Sequence, residues 1–232
     1  MNRVEPGAPP GLGGGSTRRA GSIAAARKSR DRLARWFDLL VMPFEARPRA
    51  VSLRLLVPGS GSRVLEVGCA TGATLVEIAR AVGPSGRAVG IDPSPSMIAR
   101  AASRLDRARV GGWSRALVVE APLLPFDDGA FDLVLVGFAL EAVRPEEART
   151  ELLRECRRAL AGDGRMVCAG VSARRPAGVV PRMGAAVLRI GSVVDGTPAR
   201  VSDLAAAAGF AVTSRLELRP WGIPVDVIEA VR

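Results

Sequence analysis

Any proton chemistry in this chain has to run without histidine or tyrosine, because its 232 residues contain neither. The commonest general base and the commonest metal ligand are therefore missing, which excludes Ser-His-Asp hydrolysis, Cys-His catalysis and histidine-built zinc sites. The three cysteines, Cys69, Cys156 and Cys168, are odd in number and form no C-x-x-C pair. No disulfide framework and no metal site is expected, and a reducing cytoplasm is the default location. What remains is a set of acids placed around a glycine loop. The run Val64-Leu65-Glu66-Val67-Gly68-Cys69-Ala70-Thr71-Gly72 is an apolar strand entering a small-residue turn ahead of a helix. Such a turn lets a ligand approach backbone N–H groups. Asp92 ends a second apolar strand twenty residues after Gly72, where a carboxylate can accept both hydroxyls of a ribose. Glu120, expected at the end of a third strand, could accept the exocyclic amine of a base. Glu66 suits a cationic amino group. Three acids together would repel a pyrophosphate.

Each residue also has a plainer reading. Gly68 and Gly72 would permit close helix–strand packing, and Asp92 would serve as a helix N-terminal charge ahead of Ser94. Glu120 would be a solvated loop acid, Cys69 a small loop residue, and Cys156 and Cys168 core thiols.

The elements that must position these residues alternate. Strands are expected at Arg63–Val67, Arg87–Ile91, Leu117–Val119, Phe131–Val136 and Met166–Ala169. Helices are expected at Thr74–Val82, Ser94–Asp106 and Glu146–Leu160 between them. Continuous apolar strands alternating with helices imply an α/β fold with a parallel sheet covered on both faces. A helix over Val201–Ala208 is followed by strands Ala211–Leu218 and Val225–Val231 with no helix between, which implies an antiparallel hairpin at the sheet edge. Ahead of the sheet, helices are expected from Ile23 to Leu40 and over Pro48–Leu56. The length fits a single domain. Residues 1–22, rich in Gly, Pro, Ser and Arg, read as a flexible tail, and 23–232 as the folded domain. No stretch is long and apolar enough to span a bilayer.

The net charge is +10, and all but one of the 33 basic residues are arginine, the compositional mark of a GC-rich coding bias. The excess is nonetheless localised. Residues 1–35 carry +6 and residues 171–200 carry +4, leaving the rest neutral.

An acceptor for ribose, adenine and ammonium favours S-adenosylmethionine over NAD or ATP, and the ordered motifs agree. Leu65–Gly72 resembles motif I of the class I S-adenosylmethionine-dependent methyltransferases, and Gly90-Ile91-Asp92-Pro93-Ser94-Pro95-Ser96-Met97 the segment after it. Leu124–Val134 resembles motif II, and Leu153–Leu160 with Gly162–Arg165 resembles motif III. The chain is most similar to the group containing the ubiquinone and menaquinone methyltransferases, over roughly residues 36–170, and the late hairpin matches as well. The resemblance implies a Rossmann-like, seven-stranded, mostly parallel sheet of order 3-2-1-4-5-7-6 with a C-terminal antiparallel hairpin. It implies that Glu66 and the backbone of Gly68, Cys69, Ala70, Thr71 and Gly72 hold the methionine part. Asp92, followed by Pro93, would hold the ribose, Met97 would pack near the adenine, and Glu120 and Ala121 would recognise its edge. Phe138 would line the methionine end. Residues 23–60 would form lid helices and 171–200 a substrate cap.

The chain departs from the pattern at Ala70, where a glycine is usual, and at Glu120, where aspartate is commoner. It departs again at Gly137–Ala142, which lacks the family's His or Arg-Asn residues. Alanine suits the loop unless that position needs a positive φ. Methyl transfer rests largely on positioning, but a phenol, acid or amine acceptor has a proton to lose, and Glu141 and Asp38 are the candidate bases. The expected partner is a small-molecule acceptor, and Arg174, Arg175, Arg182 and Arg189 favour an anionic one. Two alternatives stand beside this reading: a nucleic-acid methyltransferase anchored by the basic tail, and a cofactor-binding regulatory protein without turnover.

Overall fold

The computed structural model describes residues 42–145, 147–172 and 200–232. The tail at 1–22, the helix expected from Ile23 to Leu40, the candidate base Asp38 and the cap arginines Arg174, Arg175, Arg182 and Arg189 lie outside the described residues. Among those that are described, no helix is long and apolar enough to cross a membrane.

The chain runs α1 (Met42–Leu56), β1 (Arg63–Val67), α2 (Ala73–Val82), β2 (Arg87–Asp92), α3 (Pro95–Arg107) and β3 (Ser114–Val118). It continues through β4 (Phe131–Gly137), a 3-10 turn at Leu140–Ala142, α4 (Glu147–Ala159) and β5 (Leu160–Val171). After residue 200 come α5 (Val201–Ala207), β6 (Ala211–Leu218), a 3-10 turn at Pro220–Gly222 and β7 (Val225–Val231). The seven strands form one sheet of order β3-β2-β1-β4-β5-β7-β6. Strands β1 to β5 pair in parallel, and β7 pairs antiparallel with both β5 and β6. This is the expected order and hairpin.

The period of two along the strands divides the core. Val64, Leu133, Leu135 and Val167 face one layer with Phe44, Leu56, Leu75 and Ile78 from α1 and α2. Their neighbours Leu65, Val134, Val136 and Met166 face the other, with Leu152, Leu153 and Cys156 of α4. Burying each such side chain contributes about 1.5–3 kcal/mol, which is why near-continuous apolar runs are stable only between two helical layers.

Three differences from the expected element bounds bear on the site. Helix α1 starts at Met42 rather than Pro48 and carries Pro48 in its interior; the proline read as a first-turn residue sits mid-helix. Strand β3 ends at Val118, so Glu120 lies two residues beyond the strand instead of ending it. Strand β5 is far longer than Met166–Ala169. Its register against β4 jumps from Phe131↔Leu160 to Leu133↔Arg165, so the Gly162–Gly164 segment is an excursion within the strand. Pairing with β7 then carries it to Val171, opposite Val225.

Candidate functional site

Among the described residues, Glu66, the Gly68–Gly72 turn, Asp92 and Met97 gather at the carboxyl ends of β1 and β2. The turn after β1 is built by close approach. Gly72 has φ +77°, and a Cβ there would lie 2.8 Å from the Cβ of Ala101 in α3. Gly68, at φ +82°, would bring its Cβ to 2.8 Å from that of Ala139. The packing reading of both glycines therefore holds, alongside whatever they offer a ligand. Ala70 also has a positive φ, 46°, so the position that departs from glycine is one where glycine is conformationally favoured.

The turn's amides are largely committed to the fold. Gly68 and Cys69 N–H both donate to the carbonyl of Ile91, at 2.8 and 3.0 Å, and Gly72 N–H to that of Cys69 at 2.8 Å. Ala70 N–H donates to Asp92 Oδ2 at 3.3 Å. The turn is a shaped surface more than an anion nest, which agrees with a ligand lacking phosphate. Thr71 Oγ1 accepts from Arg104 at 3.1 Å, tying the turn to α3. Cys69 is buried, and burial drives its thiol well above the usual range, with Glu66 and Asp92 adding to the effect. It is not a nucleophile.

Asp92 is half-buried, and its Oδ1 accepts the N–H of Ser94 at 2.9 Å. Both proposed roles, loop anchor and ribose acceptor, are compatible, because each carboxylate oxygen has a second lone pair. Beside it, Met97 and Ala70 form a small buried apolar pair separate from the two main core layers. Pro93 is half-buried next to Asp92. Glu120 is exposed, and Val119 N–H reaches Asp92 O at 3.2 Å, which brings the segment alongside the end of β2. Ala121 is half-buried and packs on the α4-side core.

Beside the turn lies a narrow cleft of about 10 Å³, room for roughly one water, lined by Arg49, Ser52, Glu66, Gly68, Thr74 and Phe138, among others. Glu66 Oε2 and Ser52 Oγ are buried there with no protein partner. Burial pushes the Glu66 carboxyl up to about 7; Arg49 and a hydrogen bond with Thr74 oppose the rise, while Glu45 and Asp92 reinforce it. Glu45, itself buried, accepts from Arg49 Nε at 3.0 Å, and Arg49 also donates to Thr74 Oγ1 at 3.2 Å. Glu45, Arg49 and Ser52 were missed by sequence reasoning. Their signal was the i, i+4 spacing of Glu45 and Arg49 with Ser52 one turn on, concealed once the helix was started at Pro48.

Glu141, read from the sequence as a candidate base, is buried. It is 4% exposed, and its Oε1 accepts the N–H of Val171 at 2.5 Å. Burial raises its carboxyl to about 7 against the pull of the Val171 N–H and of Arg149. It does not line the cleft. It ties the turn after β4 to the end of β5, because Val171 N–H would otherwise lack its acceptor. Phe138 is buried at φ 53° and donates its N–H to Ala169 O at 2.9 Å.

Comparisons with known proteins converge. The family model for a methyltransferase domain matches residues 64–164. The demethylmenaquinone methyltransferase of Bacillus subtilis (strain 168) is 33% identical over 122 residues, which cover 52% of this chain and 50% of that protein. The chain thus spans about half the length of the demethylmenaquinone methyltransferases it matches. Among solved structures, geranyl diphosphate C-methyltransferase from Streptomyces coelicolor A3(2), in complex with S-adenosyl-L-homocysteine, superimposes with a TM-score of 0.63 at 16% identity, covering 81% of this chain and 80% of that one. The cyclase SpnF does so at 0.65 and 18%, covering 80% of each. At such identities the likeness carries the fold alone. The nocamycin O-methyltransferase of Saccharothrix syringae is 34% identical over 210 residues, covering 87% of this chain and 69% of that protein. That similarity reaches far beyond the glycine turn, and the chain belongs to the class I S-adenosylmethionine-dependent methyltransferases.

Proposed function

We propose that the protein transfers the methyl group of S-adenosylmethionine to an O, N or C atom of a small molecule. The observation that carries this reading is Glu66: a buried carboxyl, raised to about 7, with one oxygen unpartnered in the cleft beside the glycine turn. A buried carboxylate needs a cation or a set of donors, and an α-ammonium supplies both. The cofactor, when bound, supplies a methyl group on a cationic sulfur, ready for in-line displacement. In this reading Glu66 takes the ammonium and Asp92 the ribose hydroxyls. Met97 and Ala70 floor the adenine, while Glu120 and Ala121 meet its edge. Phe138 closes the methionine end and excludes water from it. The backbone of Gly68–Gly72 contributes its contour.

Rate enhancement then comes from holding donor and acceptor in line. Glu141, anchored to Val171, acts as a brace for the turn after β4 and not as a base. The acceptor's proton leaves to solvent from the open side of the cleft. The names of the relatives, demethylmenaquinone and nocamycin O-methyltransferases, support a small-molecule acceptor here. The sequence charge at Arg174, Arg175, Arg182 and Arg189 supports an anionic group on it; neutral substitutions there should raise KM, and an unchanged KM removes that part.

Calorimetric titration tests the core of the proposal. S-adenosylmethionine should bind, NAD should not, and Asp92→Ala should abolish the difference. Equal binding of NAD by the wild-type protein would overturn it. Transfer of labelled methyl from the donor to a panel of small molecules would then identify the acceptor.

A further inference from the structure

Phe44 and Trp221, to which the cofactor reading gives no role, stand with Phe138, which it places at the methionine end. The chain has only nine aromatic residues, and three of them meet at one place. Phe44 of α1 packs on Phe138, ring centroids 6.0 Å apart, and on Trp221, centroids 5.6 Å apart, both pairs tilted at 57°. Phe138 lines the cleft next to Glu66. Trp221 arrives from the β6–β7 connection, which the pairing of Leu218 with Val225, and of Val225 with Val171, places at the carboxyl end of β5. The row therefore leads from the methionine end of the cleft outward to solvent.

Two further facts separate this row from ordinary core packing. Phe138 and Trp221 have φ of 53° and 51°, the left-handed region that bulky residues seldom adopt and that persists where the surroundings impose it. Phe44 is wholly buried, whereas the outermost ring, Trp221, is 43% exposed. A large indole is thus held, at conformational cost, against a buried aromatic base and left exposed at the carboxyl end of β5.

We propose that Phe44, Phe138 and Trp221 form the acceptor wall, and that it takes a flat aromatic or conjugated ring stacked on Trp221. This rests on the methyltransferase reading above and specifies the acceptor class. The trio offers ring faces, and ring–ring contact favours offset or tilted flat partners over aliphatic ones. No charged side chain belongs to the trio, and the neighbouring Arg219 is engaged by Glu217 at 2.9 Å.

The test uses the full chain saturated with S-adenosylhomocysteine and titrated with 1-naphthol, with cyclohexanol as the unstacked control. Wild type should bind 1-naphthol in preference to cyclohexanol. Trp221→Ala should weaken 1-naphthol binding about tenfold, Trp221→Phe should restore most of it, and S-adenosylhomocysteine affinity should be the same in all three proteins. Naphthol binding that is absent in wild type, or indifferent to Trp221→Ala, overturns the acceptor wall and leaves the cofactor reading intact. Failure of S-adenosylhomocysteine to bind wild type overturns both.

Discussion

In the proposed arrangement, the cofactor side and the acceptor side of this cleft are built in opposite ways. On the cofactor side, Glu66, the turn to Gly72, Asp92 and Met97 lie within a short span of chain on two adjacent parallel strands, and the strand register alone brings them together. On the acceptor side, Phe44, Trp221 and Phe138, which borders both sides, come from α1, the β6–β7 connection and the turn after β4, joined only by tertiary packing. The first side is specified by a contiguous motif. The second can be exchanged piece by piece without touching the sheet, which is how one fold comes to host many acceptors.

The contrast predicts that damage on one side should leave the other intact, and Glu66→Gln is the most severe test. Losing a charge-assisted contact in a buried site costs about 2–3 kcal/mol, so affinity for S-adenosylhomocysteine at pH 8 should fall on the order of a hundredfold. The pH profile sharpens this. In the free protein Glu66 titrates at about 7, and only its carboxylate pairs with the ligand's ammonium. Binding should therefore release a proton and strengthen from pH 6 to 8, and in Glu66→Gln that rise should vanish. The stability of the free protein should run the other way. A carboxyl raised from 4.5 favours the folded state most below its unfolded value, and that contribution is lost as pH rises through about 7. Melting temperatures with and without ligand across this range check both signs. A wild-type affinity that is flat with pH would show that Glu66 does not face the ammonium.

Gly72→Ala comes next in size. It combines a φ of +77° with a Cβ at 2.8 Å from that of Ala101, whereas Gly83, at φ +65°, has nothing within 4 Å. Gly83→Ala should cost about 1 kcal/mol from the backbone alone, and Gly72→Ala about 2–3 kcal/mol with overpacking added. Thermal unfolding of the pair measures the difference, and equal shifts would mean that α3 yields to admit the methyl group.

Legibility from sequence followed the same divide. Strand β1 and the hairpin strands β6 and β7 have the bounds read from their apolar runs, because Gly68 and the Arg219–Pro224 connection end those runs sharply. The residues proposed for the cofactor lie at the ends of β1 and β2 where they were read, because strand ends are local features. Glu120 was misplaced by two residues because β3 is a short edge strand with exposed positions, so its apolar pattern is weak. Phe44, Glu45 and Arg49 were hidden by Pro48, whose usual place is a helix's first turn; here the helix tolerates it mid-length because Phe44 and Leu56 anchor the two ends in the core. Glu141 could not be read as a buried brace because its acceptor role depends on Val171, thirty residues on. A non-local hydrogen bond leaves no trace in residue spacing.

Glu141 distinguishes a brace from a base. Glu141→Gln keeps an oxygen for Val171 N–H and should retain turnover with a pH profile like that of wild type. Glu141→Ala strands that amide and should cost about 1–2 kcal/mol of stability, with turnover falling in step through a loosened Phe138. Turnover lost in Glu141→Gln while its melting temperature is kept would make Glu141 a participant in proton transfer.

The smallest expected effect concerns Ala70, the residue that might be taken for decay of the cofactor side. At φ 46° alanine bears about 1–2 kcal/mol of left-handed strain that glycine avoids. Glycine also frees the unfolded chain, which offsets roughly 0.4–1 kcal/mol. Ala70→Gly should therefore raise stability by about 0.8 kcal/mol at mid-range, a melting shift of about 2–3 °C. Its effect on cofactor affinity should be smaller still and unfavourable, because the Cβ of Ala70 packs with Met97 and removing it thins the adenine shelf. A melting shift without a gain in affinity would show that alanine here exchanges a little stability for apolar surface under the ligand. A large gain in affinity would mean instead that the turn is held out of its binding shape, and that the cofactor side is the less finished half of this cleft.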